Sequence, residues 1–257
     1  MTELQRIRRF LREAENAVCD ELRPTRCGTA MLTPSLPLVW QLNALRVEDG
    51  GASADELEAE AERLLADFGH RKLVVPDESL GARIAPSLAA RGWNVYRLLV
   101  MVRRRPPDRL PEPGAGGEVH RSAGAAVLSA FRREQPFGSQ EEAVRQLAEM
   151  DDRFTRAAGG RYFAAPPREP ASACRLYSDD RVAQIDEVGT LESGRNRGLA
   201  RAAVLAAADA ATAAGRDVVF LLTDASDWPQ RLYRRLGFDA IGSVYELLKL
   251  PLGSARP

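Results

Sequence analysis

Charged and apolar residues interleave at helical spacing over residues 3–22, and again through "ADELEAEAERLLADFG" and "SLGARIAPSLAARG". Short apolar runs between these segments predict strands near Leu38–Val47, at "RKLVV" and at "WNVYRLLVMVR". From Arg103 to Glu118 the periodicity stops. "RRRPPDRLPEPGAGGE" is rich in proline, glycine and charge and reads as a linker. Helical spacing returns in "GAAVLSAFRREQ" and "QEEAVRQLAEMDDRFTRAAG". The runs "RYFAAP", "ASACRLYS" and "RVAQIDEVGT" follow, joined by the turn signals "PREP" and "DD", so an antiparallel meander is expected. After it come a helix from Leu199 to Ala214, the strand "DVVFLLTD", the helix "WPQRLYRRLG", and strands "FDAIG" and "VYELLKL". The second half is therefore expected to be a mixed α/β domain, of the α+β mixed-sheet kind. The boundaries this pattern gives are a first module at 1–104, a linker at 105–117, a second domain at 118–250 and a tail at 251–257.

Composition narrows the class. The chain has 257 residues, 45% hydrophobic and 28% charged, as in soluble globular proteins. Lysine plus arginine balances aspartate plus glutamate at 36 each, which argues against a nucleic-acid partner held by bulk charge. No apolar run is long enough to span a bilayer, and the charged start "MTELQRIRRFLREAENAVCDEL" lacks the apolar segment of a signal peptide. A cytoplasmic protein with no membrane partner is expected. Cys19, Cys27 and Cys174 form no CxxC pair and the only histidines are His70 and His120, so free thiols and no metal are expected. Oligomeric state is not legible.

The chemistry concentrates in "SGRNRGLARA", Ser193 to Ala202, where two glycines and three arginines precede an alanine-rich helix. A helix N-terminus presents unpaired N–H groups and the positive end of the dipole, which suits a phosphate. An ordinary strand-to-helix turn has the same local form. The strand before it carries two acids, Asp186 and Glu187, which strand alternation sends to opposite faces. The halves also echo each other. "LAARGWNVYRLLVMV" aligns with "YRRLGFDAIGSVYELLKL" when Gly92-Trp93 is set on Gly237-Phe238, and "KLVVPD" with "FLLTD". Duplication and chance both account for that likeness, since a short helix ending in Gly before an aromatic strand is common.

The pairing of "RNRGLA", an R-x-x-G-x-A pattern, with "LYRRLGF" some thirty residues on resembles the GCN5-related N-acetyltransferase (GNAT) family. The resemblance covers about Glu118 to Leu250. It implies a GNAT fold with a complete C-terminal acetyltransferase core, preceded by a partial, degenerate GNAT-like module in a tandem arrangement. It further implies an enzyme that moves an acetyl group from acetyl-CoA to a primary amine on a small-molecule or peptide acceptor. Backbone N–H groups and side chains of Arg195, Asn196, Arg197, Gly198, Leu199, Ala200 and Arg201 would hold the coenzyme A pyrophosphate. Each arginine is also explicable as a solvated surface residue. Val188, Gly189 and Thr190 would pair with the pantetheine arm as an added strand does, between a fourth and a fifth strand that splay apart. Asp227 stands where the family usually has Asn. Tyr233 occupies the place of the tyrosine general acid that protonates the departing thiolate. The base is Asp186, Glu187 or a relayed water, with Asp186 favoured, and either acid is equally explicable as a structural partner for an arginine. In the first half Leu88 stands where Tyr233 would be, no phosphate loop is present, and Trp40 and Asn43 either reach the cleft or pack in the core. A catalytically silent acyl-CoA-binding sensor or scaffold is the alternative function.

Overall fold

The first helix ends sooner than its charge pattern suggests. In the computed structural model, which describes residues 1–250, α1 (Glu3–Val18) begins at a capping box between Thr2 and Gln5 and stops at Cys19. The hairpin β1 (Glu21–Thr25) and β2 (Gly28–Leu32) follows, then β3 (Ala44–Val47), α2 (Ala54–Leu64), β4 (Arg71–Val75), α3 (Glu78–Ala89) and β5 (Asn94–Arg103). Beyond the linker come β6 (Gly117–Val119), α4 (Arg121–Arg133), α5 (Glu141–Ala157), β7 (Arg161–Ala165), β8 (Ser172–Ser178) and β9 (Val182–Thr190). The chain then forms α6 (Leu199–Ala213), β10 (Val218–Asp224), α7 (Pro229–Arg235) and β11 (Phe238–Lys249). The predicted tail at 251–257 lies outside the described residues.

Three sequence readings change. The hairpin β1–β2 was not expected. Only Ala44–Val47 of the predicted 38–47 strand is extended, because Trp40–Leu42 form a 3-10 turn. Asn43 builds that turn: its side chain accepts from Thr33 N–H at 2.6 Å and donates to the carbonyls of Leu36 and Val39 at 3.0 Å each. Trp40 packs against His70 with ring centroids 5.6 Å apart. Both residues therefore serve local packing. Finally, "FDAIG" and "VYELLKL" are one strand, β11, with an irregularity between Ala240 and Gly242.

The eleven strands of the described residues form one sheet in the order β1-β2-β3-β4-β11-β5-β10-β9-β8-β7-β6. Neighbours are antiparallel except β3–β4 and β9–β10. The order is symmetric about the β11–β5 pair, so β1 to β4 match β7 to β10. Each half's closing strand has crossed to the other: β5 pairs with β10, and β11 with β4. The echo aligned on Gly92 and Gly237 is thus a structural repeat with exchanged strands.

Helices α2, α3, α6 and α7 cover one face, and α1, α4 and α5 the other. Alanines 202, 203, 207, 208 and 211 of α6 are all buried, which lets this helix lie close to the sheet. The linker is pinned to the second half. Gly237 O accepts from Arg104 N–H at 2.8 Å, and Arg235 O from Asp108 N–H at 2.8 Å.

Candidate active site

The site grows from a fork in the sheet. Parallel pairing of β9 with β10 runs from Val182/Val218 only to Gln184/Phe220. Past that point β9 stays with β8 and β10 with β5, so the two strands part. Glu187 supplies the bend: its φ is +55°, and two residues of β9 oppose one of β8 between Arg175/Asp186 and Ala173/Gly189. This bulge breaks the expected alternation. Asp186 and Glu187, predicted on opposite faces, both reach the Arg175 guanidinium, at 3.2 and 3.9 Å.

Those acids belong to a buried ion network. Arg132 of α4 holds Asp151 of α5 through two bonds of 2.7 and 2.9 Å, and Glu187 through bonds of 3.0 and 2.7 Å. Arg175 also pairs with Asp151 and stacks over the Tyr177 ring at 5.1 Å. Arg132 and Arg175 are only 2% and 1% exposed, so ion pairing is what offsets their desolvation, although Arg175 Nε is left with no acceptor. Burial pushes the Glu187 carboxyl up, but Arg132 and then Arg175 outweigh it and the pKa falls. For Asp186 burial prevails over Arg175, and the Glu187 charge adds to it, so its pKa rises. Two adjacent acids are driven in opposite directions.

The β9–α6 connection prepares a helix N-terminus. After a 3-10 turn at Glu192–Gly194, Arg195 is extended, Asn196 has φ +61° and Gly198 has φ +77°. Gly198 caps α6 and has no side chain with which to bond its N–H groups. The first helical bond runs from Ala202 N–H to Gly198 O, leaving Leu199, Ala200 and Arg201 N–H without helical acceptors. They open on a groove of about 540 Å³ that runs past the fork to Tyr233. Tyr233 is 7% exposed and meets Phe238 edge-on at 6.4 Å. Burial, helped by the negative charges of Asp186 and Asp227, raises its pKa well above the usual phenol value.

A family model described as the acetyltransferase (GNAT) family matches residues 125–238, the stretch holding the fork, the loop and Tyr233. The C-terminal half is a GNAT acetyltransferase domain. A GCN5-related N-acetyltransferase from Kribbella flavida has the same fold at 20% identity and a TM-score of 0.63, covering 98% of this chain and 97% of its own. A conserved protein of unknown function from Staphylococcus epidermidis is similar at 16% identity and a TM-score of 0.69, covering 91% and 95%. Such coverage extends the likeness in fold to both halves, and the N-terminal half is GNAT-like. A search of curated protein sequences gives no match.

Within the GNAT domain, Val188, Thr190, Arg195, Asn196, Gly198, Leu199, Ala200, Arg201, Asp227 and Tyr233 line the groove. Arg197 and Gly189 do not. Gly189 lies under Phe131, whose ring would stand 2.8 Å from any Cβ there, so it is the platform on which Phe131 forms the groove wall. The Asp227 carboxylate accepts from Trp228 N–H at 2.6 Å, committing one of its oxygens to the start of α7. Phe131 and Trp228 were missed as groove residues. Trp228, 65% exposed at the groove, is the better sequence signal, since a tryptophan beside "PQRLY" has no core to enter.

The N-terminal half lacks this preparation. Its equivalent helix α2 is capped by Ser53 and Glu56 in a capping box, with Asp55 in its first turn and Glu48 and Asp49 shortly before it in sequence. A phosphate would meet satisfied donors and negative charge there. Leu88, in the place of Tyr233, is fully buried.

A second cavity, of about 310 Å³, lies on the opposite face between α1 and the sheet. Asp186, Gln184 and Asp224 contribute from the fork, and Arg8, Arg12 and Lys72 from the first half. The fork lies between the two cavities. Among the described residues no group of His, Cys, Asp or Glu is placed to hold a metal, and no helix is long and apolar enough to cross a membrane.

Proposed function

We propose that this protein transfers an acetyl group from acetyl-CoA to a primary amine by direct attack, with Tyr233 as general acid and Asp186 as general base. One observation carries the reading: the fork holds a proton-retaining phenol toward the groove and a carboxyl of raised pKa toward the opposite cavity. After burial, the Asp186 charge is one of the causes that keep the Tyr233 pKa up.

The residues present suit coenzyme A. Positive-φ residues 196 and 198 turn the loop so that uncapped α6 N–H groups face the groove, and space is open around the Gly198 Cα. Arg195 and Arg201 would add charge, while the free edge of β9 at Val188–Thr190 offers backbone partners to an amide-bearing arm. Acetyl-CoA, when bound, supplies the activated thioester and a thiolate leaving group.

The chain's own work is proton handling and positioning. Asp186 takes the amine's proton at its carboxylate, for which a raised pKa is an advantage. Glu187 is the weaker base, because Arg132 and Arg175 hold it ionised; it and Arg132 anchor the bulge that aims Asp186. Tyr233 keeps its proton until a thiolate forms to receive it. Calorimetric titration with acetyl-CoA, followed by thiol release in the presence of amines, tests the proposal. Binding without turnover against any amine would favour the silent acyl-CoA-binding reading, and absence of binding would sink both.

A further inference from the structure

The cavity under α1 has a charge pattern that narrows the acceptor. Most of its ionic groups are already matched. Arg46 pairs with Glu15 and Glu48 at 3.2 Å each, Lys72 with Glu246 at 2.8 Å, and Asp186 with Arg175 at 3.2 Å. Asp224 accepts from the backbone and hydroxyl of Ser226. Three groups lack an ionic partner among the described residues: Asp224 on the sheet side, and Arg8 and Arg12 on α1, where Arg8 Nε is buried with no acceptor. The two arginines stand one turn apart on α1, where like charges repel unless something anionic lies between them. Arg8 is half-buried and Arg12 exposed where they line the cavity, and two guanidiniums with unused donors suit an oxyanion. That oxyanion is not the coenzyme's diphosphate, whose groove lies across the sheet at the α6 N-terminus.

We infer that the acceptor is a small zwitterion, a primary amine carrying a carboxylate in the manner of an amino acid. Its carboxylate sits at Arg8 and Arg12 on the α1 roof, and its amine at Asp186 on the sheet floor. The inference rests on the transferase reading and specifies its substrate. At about 310 Å³ the cavity is at the small end of ligand pockets and suits a molecule of amino-acid size. A polycationic amine would meet Arg8 and Arg12 with repulsion. A peptide N-terminus would bring the amine but leave the guanidiniums unmatched.

The test uses the full chain, acetyl-CoA and matched acceptors: lysine with cadaverine, phenylalanine with phenethylamine, histidine with histamine, and β-alanine with phosphoethanolamine. Thiol release is expected from the carboxylate-bearing member of at least one pair, with kcat/KM about tenfold or more above its partner. The double variant Arg8→Gln/Arg12→Gln should raise KM for that acceptor about tenfold or more, act less on kcat, and shrink the preference within the pair. Preference for the decarboxylated amines or for phosphoethanolamine, or reaction with no member of the panel, overturns the inference. So does an unchanged preference in a double variant that melts like the wild type. Calorimetry with acetyl-CoA on the same samples keeps the two readings apart. Intact binding leaves the transferase proposal standing when the zwitterion assignment fails, whereas lost binding removes both.

Discussion

Gly198 offers the cleanest perturbation of the proposed phosphate loop, because its cost to folding and its cost to binding can be separated. Its φ of +77° and ψ of 9° are left-handed, yet a Cβ there would meet nothing within 4 Å. Gly198→Ala therefore pays only backbone strain, about 1–2 kcal/mol. For a chain of this size that is a fall of roughly 2–8 °C in Tm. Gly198→Glu carries the same strain and adds a carboxylate at the α6 N-terminus. A unit charge about 4 Å from one phosphate charge costs about 1 kcal/mol in water and about 4 kcal/mol at the dielectric typical of a protein surface. Two phosphate charges then weaken binding by at least roughly 30-fold. The expected pattern is two variants with similar melting temperatures, of which Gly198→Glu alone loses most acetyl-CoA affinity by calorimetry. Were Gly198→Glu to melt with Gly198→Ala and still bind as the wild type does, the diphosphate would not lie at this helix end.

Tyr233→Phe should lower kcat about 100-fold while acetyl-CoA affinity holds, since a buried ring keeps its packing on Phe238; an unchanged rate removes Tyr233 as the acid. Asp186 must be deprotonated to act, and its pKa is raised, so the rate should fall with acid through a range above that of ordinary carboxylates. Asp186→Asn should cost about 100-fold and abolish that limb; persistence of the limb assigns it elsewhere. His70 is 1% exposed, its Nε2 lies 2.8 Å from Asn43 O, its Nδ1 has no partner, and burial lowers its pKa from 6.5 to about 4. Stability tied to its neutral form is complete above pH 6.5 and lost as pH falls toward 4, about 3 kcal/mol in all. Denaturant unfolding should show a shallower acid loss in His70→Gln, and parallel curves would refute the assignment. A fragment of residues 118–250 leaves β10 and β11 without β5, and should give an unfolded or aggregated product in circular dichroism and light scattering.

What the sequence revealed was whatever the backbone demanded locally. Gly198 and the R-x-x-G-x-A pattern are legible because a left-handed cap needs glycine and a close helix entrance needs alanine. "LYRRLGF" is legible for the same reason, with Gly237 at φ +91°. The Glu187 bulge was hidden because a glutamate occupies the positive φ, held there by Arg132 and Arg175 from elsewhere in the chain. Ion partners far apart in sequence leave no local mark. The β1–β2 hairpin escaped because "ELRPT" is mostly exposed and contains Pro24, which an edge strand tolerates but a periodicity argument rejects. Arg8 and Arg12 read as one charged face among many until the cavity beneath α1 gave them a direction.

The strand exchange gives a half without a phosphate-loop pattern a structural part in the other half. The echo that links "WNVYRLLVMVR" to "FDAIGSVYELLKL" makes β5 and β11 near-equivalent partners, so each can close the other's half. Once β5 has crossed to β10, the chain must return to β6 beyond β7, about five strand spacings or roughly 24 Å away. Residues 104–116 can reach about 43 Å when extended, which leaves slack for the bonds that pin the linker to Arg235 and Gly237. The first half then contributes in two ways that need no cofactor chemistry. Its β5 supports β10 along the segment where β9 departs, which keeps the fork open on one side only. Its α1 roofs the cavity under Asp186 and brings Arg8 and Arg12 to it. Without such a loop at α2 there is no competing phosphate site in the first half, so on the proposed reading the two halves divide one reaction between them: the second would hold the coenzyme, and the first would define what the acetyl group is given to.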